Sequence, residues 1–205
     1  MGFVRWSYSG DYYVSDYFHH GAAMNFQRYA LAMKARWEKA SMREKFEMIA
    51  LDYDNIAYRG GKEIPFDEGD CSATVSGPLY LMGYDIRGTA DALYKEIFTD
   101  KVTNFLSKAD IMAVFYITKV PREHFGRTVP AGTATHVAPV VGHYVVINAF
   151  NPIDLWPTAS VYEYYLHRGF DIEWRKLNFA QLVRHHNAKD MIWGLDEELK
   201  QLRGC

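Results

Sequence analysis

His136-Val137-Ala138-Pro139-Val140-Val141-Gly142-His143-Tyr144-Val145-Val146-Ile147-Asn148 is the stretch on which the reading of this chain turns. Two apolar runs rich in β-branched residues flank Gly142, the pattern of two paired strands joined by a tight connection. With the turn at Gly142, His136 and Asn148 are equidistant from it and stand opposite each other. Cross-strand partners have Cβ atoms roughly 4.5–5.5 Å apart on one face of a sheet, close enough for an amide to orient an imidazole. Pro139 or a bulge in the first run would alter that register.

Upstream, Cys71 lies in Gly69-Asp70-Cys71-Ser72, at the head of a stretch that reads as a helix from Cys71 to Met82. Val75, Leu79 and Met82 would face the core, and Pro78 would kink or shorten the element. A helix N-terminus and a neighbouring imidazolium both favour a thiolate, the nucleophilic form of cysteine. Cys71, His136 and Asn148 are therefore candidates for nucleophile, base and orienting amide, the constellation of a cysteine peptidase. Taken singly, each has a plainer reading. A cysteine before a helix serves as a small buried hydrophobe, a histidine opening a strand is satisfied or exposed, and Asn148 begins a turn. Their joint occurrence in this order favours the chemical reading.

Composition narrows the rest. In 205 residues, 49% apolar residues with mixed charge exclude general disorder and suffice for a substantial core. The 23 basic residues balance 25 acidic ones, so no polyanion-binding surface is announced and nucleic acid is not an expected partner. Fifteen Tyr, twelve Phe and five Trp suit a groove for sugars or peptides, although aromatics more often fill a core. No CxxC or HExxH spacing occurs, and the pairs His19-His20 and His185-His186 point apart on any regular element, so neither a metal nor another cofactor is expected. A Cys71–Cys205 bridge is disfavoured, because a chain terminus is usually mobile. No apolar run approaches the roughly 18 residues of a membrane span. Met1 to Val14 lacks the charged and apolar regions of a secretory signal, which implies retention, export by another route, or a trimmed leader.

The chain reads as one domain over 1–205, with an N-terminal helical extension at 1–57, a core at 58–152 and a C-terminal extension at 153–205. Residues 1–20 look irregular. Helical spacing of Phe26, Ala30, Met33 and Trp37 predicts a helix from Ala22 to Lys39. Ser41 and Glu44 form a candidate capping box for a second helix through Ala57, burying Phe46, Ile49, Ala50 and Tyr53. Thr89 can cap a helix carrying Leu93, Tyr94, Ile97 and Phe98. Ile111 to Thr118 reads as a buried strand, Pro121 to Thr135 as a polar excursion, and the tail as helical pieces including Ser160–His167 and Phe179–His186.

Several motifs together resemble the NlpC-type cysteine peptidases of bacterial cell walls. They are Tyr58-Arg59-Gly60-Gly61, Asp70-Cys71-Ser72-Ala73, Arg87-Gly88-Thr89-Ala90, Ala109-Asp110-Ile111-Met112-Ala113-Val114-Phe115, and His136-Val137-Ala138 with Asn148 twelve positions on. The resemblance spans roughly Tyr58 to Pro152. Ala73 stands where the family carries Gly, Ala138-Pro139 departs from its Gly-Ile pair, and the segment before His136 is longer. What the resemblance implies is an α+β fold with a papain-like core, a helix carrying the nucleophile packed on an antiparallel sheet, with extra N-terminal helices and a C-terminal helical tail. It further implies hydrolysis of an amide in peptidoglycan stem peptides, commonly the D-γ-glutamyl-diaminopimelate bond, through a Cys71-His136-Asn148 triad. Tyr58 would help bind substrate or oxyanion, Asp70 would be a structural or substrate-contacting neighbour, and Ser72 would contribute to the substrate site. Such an enzyme acts in the periplasm or cell wall, and without a visible leader it would be a phage lysin or an injected effector, with an inhibitory (immunity) protein as a candidate partner. Two other readings stay open: a papain-like thiol enzyme acting on a protein or lipid (deamidase, acyltransferase or toxin-type peptidase), and a non-catalytic wall-binding module.

Overall fold

Ser41 and Glu44 do meet as a capping box. The Ser41 N–H donates to Glu44 Oε2 at 2.7 Å, and the Glu44 N–H to Ser41 Oγ at 3.3 Å, satisfying two donors that a helix start leaves open. The computed structural model describes residues 3–6, 12–15, 39–51, 53, 56–60, 63–64, 68–82, 84, 86, 88–102, 110–142, 145–148 and 153–185. Strands β1 (Phe3–Trp6) and β2 (Tyr12–Ser15) form an antiparallel ribbon where irregular chain is expected. The helix expected over Ala22 to Lys39 lies outside the described residues. Helix α1 (Met42–Leu51) follows the capping box and buries Phe46, Ile49 and Ala50. It ends short of Ala57, because β3 (Ala57–Tyr58) begins there. With β4 (Glu63–Ile64) and β5 (Glu68–Gly69), β3 makes a small three-stranded sheet that delivers the chain to Cys71.

Helix α2 (Ala73–Leu81) keeps Pro78 inside it and buries Val75 and Leu79, with Met82 buried just beyond. The phenol of Tyr53 lies directly on Gly77, in the space any side chain there would fill. Helix α3 (Ala90–Ala92) runs on as a π-helical turn over Leu93–Ile97, and Thr89 caps it by accepting the Ala92 N–H at 3.3 Å.

The main sheet contains β6 (Asp100–Lys101), β7 (Met112–Thr118), β10 (Ala134–Val141), β11 (Val145–Asn148), β12 (Asp154–Pro157) and β13 (Phe170–Lys176), with a separate ribbon of β8 (Arg122–His124) and β9 (Arg127–Val129) between β7 and β10. Its order is β12-β11-β10-β7-β13-β6, and every pairing in it is antiparallel. The fold is α+β. All seven residues of β7 are buried, because layers pack on both faces of this central strand. Ala113, Phe115 and Ile117 meet the layer of α1, α2 and α3. Met112, Val114 and Tyr116 meet α4 (Thr158–Leu166), which contributes Val161 and Tyr165. A short helix α5 (Phe179–Leu182), continued as a 3-10 turn over Val183–His185, closes the described chain.

One expectation is corrected. The C-terminal region is not a helical tail on a finished core, since β13 pairs with β7 at the centre of the sheet and β12 extends its edge. The polar connecting segment 121–135 carries the β8–β9 ribbon. A partly buried ionic clamp ties the N-terminal layer to the sheet. Arg43 Nε pairs with Glu47 Oε1 at 2.7 Å, Arg43 Nη2 donates to the Gly142 carbonyl at 3.1 Å, and the Gly142 N–H donates to Glu47 Oε1 at 3.1 Å. No helix among the described residues is long and apolar enough to cross a membrane.

Candidate functional site

Asp70 organises the start of α2. Its Oδ1 accepts the Ala73 N–H at 3.0 Å and the Ser72 hydroxyl at 2.6 Å, as an N-terminal capping carboxylate does. Cys71 sits in the turn between that carboxylate and the helix. It is a free thiol, 8% exposed; Cys205 lies outside the described residues. Backbone N–H groups of Val137, Ser72 and Cys71 itself lie near the sulfur.

These donors do not prevail. Burial, followed by the negative charge of Asp70, pushes the Cys71 thiol up to about 12, outweighing the three N–H groups that oppose it. Burial and the Asp70 charge thus oppose the thiolate that a helix start favours. Tyr58 is half-buried in β3, and its phenol is likewise pushed up, by burial first and then by Cys71 and Asp70. It remains a hydrogen-bond donor at neutral pH.

The structure brings Tyr58, Asp70, Cys71 and Ser72 together and sets them against β10 at Val137. His136 occupies the neighbouring position and faces the other way. Its ring packs on Tyr165 of α4, with centroids 5.3 Å apart and planes at 20°, and on Tyr116 of β7 at 5.1 Å. A register shift between Ala134 and His136 sets this orientation. Tyr165 links this ring to the thiol: it stacks on His136, and its phenol is raised by burial and then by the charges of Cys71, Tyr164 and Tyr58.

The hairpin register also differs from expectation. Val141 pairs with Val145 and Val140 with Val146, so the connection is centred on residue 143 rather than Gly142. Continued along the strands, this register sets Asn148 level with Ala138, two residues from His136. Asn148 itself pairs with Asp154 of β12.

A cleft of about 590 Å³ opens beside the thiol, within the range of small-ligand sites. Asp70, Cys71 and Ser72 line one side, and His124, Phe125 and Arg127 of the β8–β9 ribbon line the other. From β10 the described lining residues are Ala134 and Thr135, not His136. Among the described residues no group of three or more His, Cys, Asp and Glu side chains could hold a metal ion. Sequence reasoning missed Tyr165, which carries no local motif, and missed the ribbon, whose alternating residues around Phe125-Gly126 are a weak hairpin signal.

No family model matches the chain, and no curated protein matches it either.

Proposed function

We propose that the chain is a cysteine amidase of the NlpC-type, papain-like kind, acting in the periplasm or cell wall on an amide of peptidoglycan stem peptides, the D-γ-glutamyl-diaminopimelate bond being the favoured target. One observation carries the reading: the Cys71 sulfur, at a helix start beside a cleft, lies against the backbone N–H of the residue that follows His136. Because the thiol is protonated at rest, attack has to be coupled to proton removal. His136 takes the thiol proton as the sulfur–carbon bond forms. The N–H of Cys71 and the neutral Tyr58 phenol donate to the developing oxyanion. The amide C–N bond then breaks, and the imidazolium returns its proton to the leaving amine. Water, deprotonated by His136, attacks the thioester, the acid product leaves, and the thiol regains its proton. Asn148, near the far end of β11, has the orienting role.

A second reading, a non-catalytic wall-binding module, is favoured by the same elevated thiol and by the packing of His136 on Tyr165 and Tyr116 rather than in the described cleft lining. Digestion of purified peptidoglycan by the intact chain and by Cys71→Ala, with products identified by mass spectrometry, separates the two. New stem-peptide termini from the intact chain alone support hydrolysis. Unchanged muropeptides together with retained binding support the module. Under hydrolysis, Asn148→Ala lowers turnover less than His136→Ala.

A further inference from the structure

The β8–β9 ribbon is a built structure that the proposed chemistry does not use. His124 pairs with Arg127, leaving Phe125 and Gly126 as a two-residue turn with φ of 49° and 71°. A type I′ turn demands positive φ at both places. A phenylalanine accepts that conformation only against steric resistance, so its presence at the tip points to a role. The Phe125 ring is 70% exposed to solvent, yet one edge lies over Gly60, where an added Cβ would come within 3.1 Å of it. The tip therefore reaches across the cleft to the segment that carries Tyr58.

Strand alternation sorts the rest of the ribbon. Glu123 and Thr128 bond to each other on one face, whereas His124, Arg127 and Val129 line the cleft with Cys71. The charges in that lining are then separable. Asp70 caps α2 through Ser72 and Ala73. Asp91 is taken up by Lys95 at 2.6 Å and by the Ala134 N–H at 3.1 Å. His124 is held below its usual pKa by burial and then by Arg122, which favours the neutral ring. Arg122 itself lies over the Phe170 ring at 4.3 Å. Among the described residues, Arg127 is the charged group of the lining with no hydrogen-bond or ion-pair partner.

We propose that Arg127 is a specificity residue that takes a carboxylate of the acyl donor, so that the preferred ligand is a γ-linked acidic residue whose own α-carboxyl is free beside the scissile amide. The inference rests on the hydrolytic reading for its ligand class, but its test does not require turnover. Two synthetic stem peptides are the probes, identical except that the D-glutamyl α-carboxyl is free in one and amidated in the other. Binding to the full Cys71→Ala chain is expected to favour the free acid by roughly 10- to 100-fold, as a charge-assisted pair does. That ratio falls close to one when Arg127→Gln is added, and Arg127→Lys lies between. Arg127 is exposed, so neither change threatens folding. Equal binding of the two peptides, no binding of either, or a ratio that survives Arg127→Gln overturns the proposal. Discrimination without cleavage by the intact chain leaves it standing and counts against hydrolysis alone.

Discussion

Alkylation of Cys71 tests the electrostatics of the site most directly. A free cysteine with a pKa of about 8.5 is about one-tenth thiolate at pH 7.5. A thiol raised to about 12 has roughly three thiolates in 100,000 molecules, since each decade of pH is a decade of ionisation. Iodoacetamide should therefore modify Cys71 roughly 3,000-fold more slowly than a small free thiol at pH 7.5, and the rate should climb about tenfold per pH unit from pH 6 to pH 10. Burial alone could slow the reagent sterically, so a second chain is needed. Asp70→Asn removes the neighbouring charge while its side-chain oxygen can still accept the Ala73 N–H. It should speed alkylation by about tenfold or more, the usual reach of a like charge close to a titrating group. A purely steric barrier would leave the two chains equal. The assay is mass-spectrometric quantitation of carboxamidomethyl-Cys71 over time. A rate at or above that of the free thiol, flat between pH 5 and pH 8, would refute the reasoning, because that profile belongs to a resting thiolate–imidazolium pair.

Two further outcomes are expected. Tyr165→Leu removes the ring stacked on His136; such contacts contribute about 0.5–1.5 kcal/mol, so kcat on stem peptide should fall about 2- to 10-fold with KM unchanged, whereas Tyr165→Phe keeps most of the rate. Steady-state kinetics check this, and an unchanged kcat in the Leu variant counts against Tyr165 as a positioning residue. Glu173 behaves oppositely to the thiol: burial would raise its carboxyl, but hydrogen bonds from Arg175, Lys101 and Tyr94 hold it below the usual range. Its contribution is complete above the unfolded value of about 4.3 and is lost as pH falls through the lower folded one. Glu173→Gln should cost about 1–2 kcal/mol at neutral pH, a gap that closes below about pH 4, as followed by urea unfolding; a gap constant with pH would remove the carboxylate from the account.

Local signals were legible where one residue acts on its immediate neighbours. Ser41 with Glu44, and Thr89, each announce a helix start, and each makes the bond its spacing implies. The run from Met112 to Thr118 is apolar throughout because it is covered on both faces, which its composition also announces. β13 was not legible. Phe170-Asp171-Ile172-Glu173-Trp174-Arg175-Lys176 alternates, but its Glu173 and Arg175 lie beside Tyr94, and besides their own pairing it is that distant phenol, Lys101 and the Thr99 carbonyl that make their placement acceptable. The same holds for Tyr165, which stacks on a histidine 29 positions away in the chain.

The position of the site follows from one residue in the stretch that opened the reading. Along β10, alternate residues direct their backbone N–H to the same side. Proline has no N–H to give, and the described pairing of β10 with β11 stops at Val140 with Val146, just before Pro139. Among the described residues β11 pairs with β12 past that point, and the backbone N–H of Val137, two residues before the proline, lies near the Cys71 sulfur. Pro139 thus marks the end of the described β10–β11 ladder, next to the point where the helix start carrying Cys71 meets β10. A residue at 139 able to extend the ladder would move the sulfur away from the strand that carries the histidine.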